Sequence, residues 1–326
     1  MNRVVITGMG IWSSIGQNLQ SVTESLRLGN SGIIYDSKRV ELGLQSGLVG
    51  NVPRPNLKAL LPRKFRTTMS LDSEYAYMAV KEAFEQAKMS EDYLYDNEVG
   101  IIFGNDGNTE GIAKAEQIKQ ERDTWMLDPS SFFKGVTSSV TMNIATIFHL
   151  RGINICIGAG CASASHAIGI ATMLIRNGLQ KTIIVGGSSE TEPNGTAPFD
   201  ALGILSHRDS QPTAASRPFD KNRDGGVISG GAAALVLEDY EHAVARGAVI
   251  LAEVVGYGFS CNEIEDIYQA DSNGIFFAME RAMRDANLSL NDIDYINSCA
   301  SSSITDDKAE AQALTRLCKG HSIPIS

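Results

Sequence analysis

Positive charge is scarce in this chain. It carries 28 Lys and Arg against 38 Asp and Glu in 326 residues, a formal net charge of −10, with no basic block anywhere. Neutralising a phosphate backbone takes concentrated Lys and Arg, so nucleic acid is excluded as a partner, and an acidic partner must dock on a local basic patch. Long apolar runs are missing as well: stretches such as 99–103 and 232–237 have strand length, far short of the roughly 18 residues that span a bilayer. No membrane span is expected. The apolar start Val4-Val5-Ile6 is broken by Gly8 and Gly10, and no small-residue cleavage pattern follows, which argues against a signal peptide. The five cysteines, Cys156, Cys161, Cys261, Cys299 and Cys318, are odd in number and form no C-x-x-C pair. That indicates neither a disulfide framework nor a zinc site. A reducing cytoplasm fits best, and nothing calls for a metal or a cofactor.

What is present is a regular alternation. Strand-like runs at 4–7, 99–103, 153–157, 182–185 and 232–237 alternate with helical stretches at 19–28, 71–87, 137–150 and 162–177. This predicts an α/β fold with mainly parallel strands covered by helices. Gly178 stands where the helix over 162–177 should stop. The stretch 47–62, with its Pro and Gly residues, reads as a surface connection. The length suggests two packed units, at roughly 150 residues each. A weak internal repeat supports this: Val4-Val5-Ile6-Thr7-Gly8-Met9-Gly10-Ile11 is echoed by Glu253-Val254-Val255-Gly256-Tyr257-Gly258-Phe259, and Asn97-Glu98-Val99-Gly100-Ile101-Ile102-Phe103 by Asp292-Ile293-Asp294-Tyr295-Ile296-Asn297. The halves are expected at 1–248, bearing the candidate nucleophile, and 249–326. The second half lacks a counterpart of the strand at 153–157 and is expected to be incomplete.

The strongest local feature is Asn154-Ile155-Cys156-Ile157-Gly158-Ala159-Gly160-Cys161-Ala162-Ser163: an apolar strand, a glycine turn and a cysteine where a helix begins. Unpaired N–H groups and the positive end of the helix dipole favour a thiolate there, and the glycines permit a sharp reversal that exposes the sulfur. A cysteine taken at random is more often a small core residue; strand, turn and helix start together favour a nucleophile at Cys161. Cys156 lies mid-strand and reads as core. Gly8-Met9-Gly10-Ile11-Trp12-Ser13 lacks the third glycine and the acidic strand end of a dinucleotide fingerprint, and Gly104-Asn105-Asp106-Gly107 lacks the Gly-Lys-Ser/Thr of a phosphate loop. These glycines read as turns. Within Ser216–Gly225, Arg217, Asp220, Arg223 and Asp224 read as two ion pairs that staple a loop.

Taken in order, Val4-Val5-Ile6-Thr7-Gly8-Met9-Gly10, the segment 159–169 around Cys161, Phe199-Asp200-Ala201-Leu202-Gly203-Ile204-Leu205-Ser206, the loop at 216–225, Gly230-Gly231-Ala232 and Val254-Val255-Gly256-Tyr257-Gly258 resemble the β-ketoacyl-acyl-carrier-protein synthases, above all the elongating bacterial enzymes. The resemblance runs from Arg3 to about Ile325. It implies a thiolase-like αβαβα layered fold built from two related halves, commonly as a homodimer, or as a heterodimer with a related synthase. In such enzymes the cysteine matching Cys161 takes an acyl group from acyl carrier protein, and malonyl-carrier protein then loses carbon dioxide and attacks the thioester. The resemblance places Phe199 by the acyl pocket, and Arg63 and Lys64 where the carrier protein docks.

It also exposes a departure. The family's Asn-Ala-His-Gly-Thr-Ser-Thr aligns with Asn297-Ser298-Cys299-Ala300-Ser301-Ser302-Ser303, so Cys299 stands where a catalytic histidine is expected. A thiol is a weak hydrogen-bond donor and a thiolate would repel a developing enolate. None of His149, His166, His207, His242 and His321 falls in a catalytic motif. The expectation is a β-ketoacyl synthase homologue of fatty-acid or polyketide-like synthesis with impaired condensation. The alternative is a non-catalytic partner subunit of the chain-length-factor kind.

Overall fold

The structure is a computed structural model that describes residues 1–107, 109–121, 123–263 and 270–326. In chain order the strands are β1 Val4–Trp12, β2 Ile33–Tyr35, β3 Leu48–Gly50, β4 Val99–Gly104, β5 Asn154–Ile157, β6 Thr182–Ser189, β7 Gly231–Asp239 and β8 Ala252–Glu253. The helices are α1 Leu19–Leu28, α2 Ser37–Glu41, α3 Arg63–Arg66, α4 Leu71–Gln86, α5 Glu91–Asp96, α6 Thr109–Glu121, α7 Ser130–Gly135, α8 Ser139–Ile147, α9 Ser163–Arg176, α10 Pro193–Ala201, α11 Tyr240–Ala245, α12 Ser272–Ala286 and α13 Ile304–Cys318. Two compact units interleave along the chain: residues 1–32, 50–195 and 229–254 form the first, and 33–49, 196–228 and 255–326 the second. Among the described residues no helix is long and apolar enough to cross a membrane.

The first unit is built on a six-stranded sheet of order β5-β4-β6-β7-β1-β8. The sheet is mixed, which corrects the expectation of mainly parallel strands: β4 runs parallel to β5 and β6, while β6–β7, β7–β1 and β1–β8 are antiparallel. Every residue of β4 is buried, as a strand covered on both faces requires. Side chains alternate between those faces. Ile101, Phe103, Ile184, Ala234 and Val236 pack with Tyr75, Ala79, Val80 and Ala83 of α4 and Ile144 of α8. Ile102, Ile183, Val185 and Leu237 pack with Ala167, Ala171 and Ile175 of α9 on the other side. Gly178 stops this last helix with φ +71° and donates its N–H to the Ile175 carbonyl.

Gly8 and Gly10 are not turns but lie inside β1, where a Cβ would meet the Ala83 carbonyl at 2.2 Å and the Ala79 carbonyl at 1.9 Å. In the second unit Gly256 and Gly258 stand in the same relation to α12, with the Ala282 carbonyl at 2.3 Å and the Ala278 carbonyl at 2.0 Å from the ideal Cβ. The internal repeat is thus physical: two glycines, spaced by one residue, let an extended segment touch the backbone of an alanine-faced helix twice in the chain. The echoes are shorter as strands than the sequence suggests. β8 ends at Glu253, and Ile296 forms only an isolated parallel bridge to Ile325.

In the second unit α12 and α13 pack through Phe276, Ala313 and Leu317, with the Arg316 guanidinium 3.7 Å above the Phe276 ring. Asp271 caps α12 by accepting from the N–H groups of Asn273 and Gly274, and Asn287 ends it in the left-handed conformation. The stretch 47–62 is not merely a surface connection. It contains β3, and Leu48, Val49, Leu57 and Leu61 are buried.

Candidate active site

The first unit presents Cys161 at the end of β5. After Ile157 the chain reverses through Gly158, Ala159 and Gly160, makes a single 3-10 turn over Gly160–Ala162, and enters α9 at Ser163. Gly160 has φ +58°, a conformation that a side chain strains, so this glycine makes the reversal possible. The Ser163 hydroxyl accepts the Ala159 N–H at 2.8 Å and donates to the Gly160 carbonyl at 2.7 Å, closing the turn on itself. The Cys161 thiol is exposed at the start of the helical segment.

Gly104, read in the sequence as a turn, ends β4 instead, and it and Gly187, which the sequence reading passed over, set where α9 begins. A Cβ on Gly104, at the end of β4, would meet the Ala164 nitrogen at 2.6 Å, and one on Gly187 of β6 would meet the Ala164 Cβ at 2.8 Å. The absence of side chains there lets the first turn of α9 sit directly over the ends of both strands. Glycine in a strand interior is the available signal for such close approach.

Cys156 corrects its reading as core: it is half-buried in an edge strand, and its thiol donates to the Thr137 carbonyl at 3.2 Å. Burial pushes this thiol upward from its ordinary pKa. Behind the turn, Asp72 of α4 is wholly buried. Burial, with nearby Glu190 adding to it, pushes its carboxyl up to about 6 against hydrogen bonds from Ser70, Ser73 and Asn105.

Arg63 and Lys64 also belong to the first unit and are exposed on α3, directly after Pro62. Arg66 is half-buried, its Nε donating to the Leu61 carbonyl at 3.0 Å.

Phe199 and Cys299 lie in the second unit. Phe199 is 43% exposed, and its neighbour Asp200 is buried, accepting from the N–H groups of Gln45 at 2.6 Å and Ser46 at 3.2 Å. That pair of bonds fixes the backbone from which Phe199 projects. Cys299 is exposed, and the Glu310 carboxylate accepts its N–H at 2.7 Å and that of Ala300 at 3.0 Å. Ala300 has φ +48° and Ser302 φ +67°, rare for residues with a side chain. Each such residue costs about 1–3 kcal/mol and persists only where surrounding groups hold it. Here Asp307 does so: it accepts the N–H groups of Ser302 at 3.0 Å and Phe219 at 2.7 Å, and pairs with Arg223 at 3.1 Å. The strain at Ala300 falls where the resembling motif has glycine.

This anchoring revises the reading of the loop at 216–225. Arg217 does pair with Asp220, at 3.0 Å, but Asp224 pairs with Arg208 and Arg223 with Asp307. The loop therefore supports the Cys299 segment rather than only stapling itself. Sequence spacing could not supply these partners because they lie far along the chain.

Comparison with known proteins bears on both units. The family model "Beta-ketoacyl synthase, N-terminal domain" matches residues 1–243, and "Beta-ketoacyl synthase, C-terminal domain" matches 251–326. A 3-oxoacyl-[acyl-carrier-protein] synthase 1 from Buchnera aphidicola subsp. Baizongia pistaciae is 36% identical over 329 residues, a match covering 100% of this chain and 80% of that protein. The crystal structure of a beta-ketoacyl synthase from Burkholderia phymatum STM815 superposes with TM-score 0.93 at 33% identity, over 100% of this chain and 80% of that one. A type II PKS acyl-carrier protein in complex with its ketosynthase gives TM-score 0.87 at 28% identity, over 99% of this chain and 80% of that one.

Proposed function

The chain belongs to the β-ketoacyl synthase family of thiolase-like condensing enzymes, and from that premise we propose that it accepts an acyl group from acyl carrier protein on Cys161 and condenses it poorly with malonyl-carrier protein. The observation that carries this reading is the exposed thiol held between the end of the edge strand β5 and the start of a helix. In the first step the Cys161 sulfur attacks the thioester carbonyl of the phosphopantetheine-bound acyl group. The new C–S bond forms as the old one breaks, and the carrier's thiol leaves with the proton Cys161 gave up. In the second, malonyl-carrier protein loses carbon dioxide and its carbanion displaces Cys161 from the acyl carbon.

The second step is the impaired one because Cys299 offers a weak S–H donor where an enolate needs a strong donor. Losing one such donor costs about 100- to 1,000-fold. Carbon dioxide release from malonyl-carrier protein should be slower by about that factor than in a relative with histidine at this position, and Cys299→His should raise it. Release at the relatives' own rate would refute the impairment. Cys299 also supports the second reading, a non-catalytic chain-length-factor-like partner subunit, whereas a retained Cys161 weighs against it. Intact-protein mass spectrometry after incubation with acyl-carrier protein separates the two, since only the first yields an adduct.

We assign carrier docking to Arg63 and Lys64, which are exposed on the short helix α3. The type II PKS relative solved with its acyl-carrier protein supports a carrier as partner. Reversing both charges, Arg63→Glu with Lys64→Glu, should raise KM for acyl-carrier protein about tenfold and flatten its salt dependence, leaving kcat unchanged. An unchanged KM at low salt would place docking elsewhere. Phe199 is proposed to border the acyl chain. The exposed Trp125, Met126, Phe132 and Phe133, and the outer edge of β5 with exposed Ile155, favour a dimer with a second copy or a related synthase. A working thiol nucleophile suits the reducing cytoplasm.

A further inference from the structure

Asn105 engages each of its polar groups at the point where three strands end. Its Nδ2 donates to Asp72 and to the Ser188 carbonyl, its Oδ1 accepts the Gly107 N–H at 3.0 Å, its backbone N–H donates to the Ile157 carbonyl at 3.0 Å, and its carbonyl faces the Cys156 thiol at 3.8 Å. Ile157 is the last residue before the turn that carries Cys161. Next along the chain, the Asp106 carboxylate lies 3.3 Å from the Ser163 hydroxyl, sharing its one hydrogen with the nearer Gly160 carbonyl, and Ser163 is the residue that closes that turn. Asp72 anchors Asn105 from α4. Its Oδ1 accepts from the Ser70 hydroxyl and from the Ser73 N–H at 2.9 Å, leaving Oδ2 for Asn105. The hydroxyls of Ser70, Ser73 and Ser139 complete the cluster at 2.7–3.2 Å from one another.

We propose that Asp72 and Asn105, acting through the 105–107 loop and Asp106, are positioning residues that hold the Cys161 turn in the geometry needed for acyl transfer. This rests on the reading of Cys161 as the nucleophile. A buried carboxylate is costly to keep, and replacing it by neutral residues of similar size is often harmless to stability. Here Asp72 supplies what a neutral amide could not: acceptors on both sides at once, Oδ1 toward the Ser70 hydroxyl and the Ser73 N–H and Oδ2 toward Asn105. In Asp72→Asn either orientation of the amide sets donor against donor: its Nδ2 confronts the Asn105 Nδ2 or, turned over, the Ser73 N–H. Turning Asn105 over to relieve this would break its bonds to Ser188 and Gly107. The reciprocal exchange, Asp72→Asn with Asn105→Asp, restores one donor–acceptor pair between them and keeps the Gly107 N–H satisfied but gives up the bond to the Ser188 carbonyl, so its rescue is partial.

The test pairs two readouts on the full chain. Hydrogen–deuterium exchange of the peptides covering 104–107 and 157–163 should rise about tenfold in Asp72→Asn, while a peptide from α12 in the second unit stays unchanged. The kcat for acyl transfer from acyl-carrier protein should fall about tenfold with KM unchanged, since misplacement by about 1 Å can cost up to 100-fold. Both effects should recede in the reciprocal double variant. Asp106→Ala, a change at an exposed residue, should show the same two effects more weakly, and it decides the matter if Asp72→Asn does not fold. Parent-like exchange and kcat overturn the proposal, as does faster exchange with kcat unchanged, which would mean a structural role alone. If the parent protein takes up no acyl group, the proposed function fails and the positioning role falls with it, whereas uptake by the parent with parent-like kcat in the variants overturns the positioning role alone.

Discussion

Cys161→Ala is expected to abolish acyl uptake: after incubation with acyl-carrier protein, intact-protein mass spectrometry should find the acyl mass on the parent and none on the variant. Removing the nucleophile of a covalent mechanism removes the intermediate itself, and losses on the order of a thousandfold or more in rate accompany such changes. The fold should not confound the result. The sulfur is exposed and the backbone reversal is made by Gly160 with φ +58°, so alanine fits the 3-10 turn and an exposed substitution of this kind costs within about 0.5 kcal/mol. The other thiols act as internal controls. Cys261 and Cys299 are equally exposed but do not follow a strand and glycine turn into a helix, while Cys318 is buried. Cys161→Ser sharpens the test, since a hydroxyl of the same shape is a poor nucleophile unless a base activates it. An adduct of undiminished yield on Cys161→Ala would move the acyl site to another thiol, with Cys299 first to be mapped. No adduct on either protein would favour the non-catalytic partner reading.

Much of the fold was legible because its signals are local. The helix over 19–28 and the strand starts at Val4, Val99 and Thr182 follow from apolar periodicity, which short-range burial dictates. The repeat was legible in Gly8/Gly10 and Gly256/Gly258, although its meaning was not. A glycine in a sequence does not say whether it makes a turn or clears room for a helix backbone, and only the alanines of α4 and α12, some 70 and 20 residues further on, resolve it. Strand direction was misjudged because β7 reads like any buried strand, and nothing local tells that it runs antiparallel between β6 and β1. At the candidate site the strand–turn–helix around Cys161 was readable, whereas its supports were not. Asp72, Asn105 and Asp106 contact one another and Ser163 across separations of 33 and 57 residues. Likewise Asp307 and Glu310 hold the strained Cys299 segment from a helix that looks, in sequence, like any solvated amphipathic stretch.

Arg246→Ala is expected to destabilise the first unit by about 3–5 kcal/mol, the cost of leaving a buried charge without its partner. Glu238 of β7 is fully buried in the sheet. Its carboxylate accepts from Arg246 Nε at 2.8 Å and from Arg246 Nη2, and also from the hydroxyl of Thr7. The Thr7 contact exists because β1 carries a bulge between Ile6 and Gly8, an extra residue relative to β7. Arg246 does more than pair. Its Nη1 donates to the Ala87 carbonyl at the end of α4 at 2.8 Å, and its guanidinium lies 5.5 Å from the Tyr93 ring centre. Truncation to alanine therefore strips Glu238 of its guanidinium partner, leaving it the Thr7 hydroxyl and, at 3.8 Å, the His242 Nε2, and it uncaps α4 and removes the packing on Tyr93. A urea titration followed by tryptophan fluorescence reads this directly, since Trp12 and Trp125 both lie in the first unit. The apolar triple change Arg246→Met, Glu238→Leu and Thr7→Val tests the cause: with no charge or orphan hydroxyl left inside, it should stay within about 1.5 kcal/mol of the parent. If the triple variant were as unstable as Arg246→Ala, the loss would come from the α4 cap and the Tyr93 contact rather than from the stranded carboxylate. A loss under about 1 kcal/mol in Arg246→Ala would mean that water reaches Glu238, in the range of exposed ion pairs.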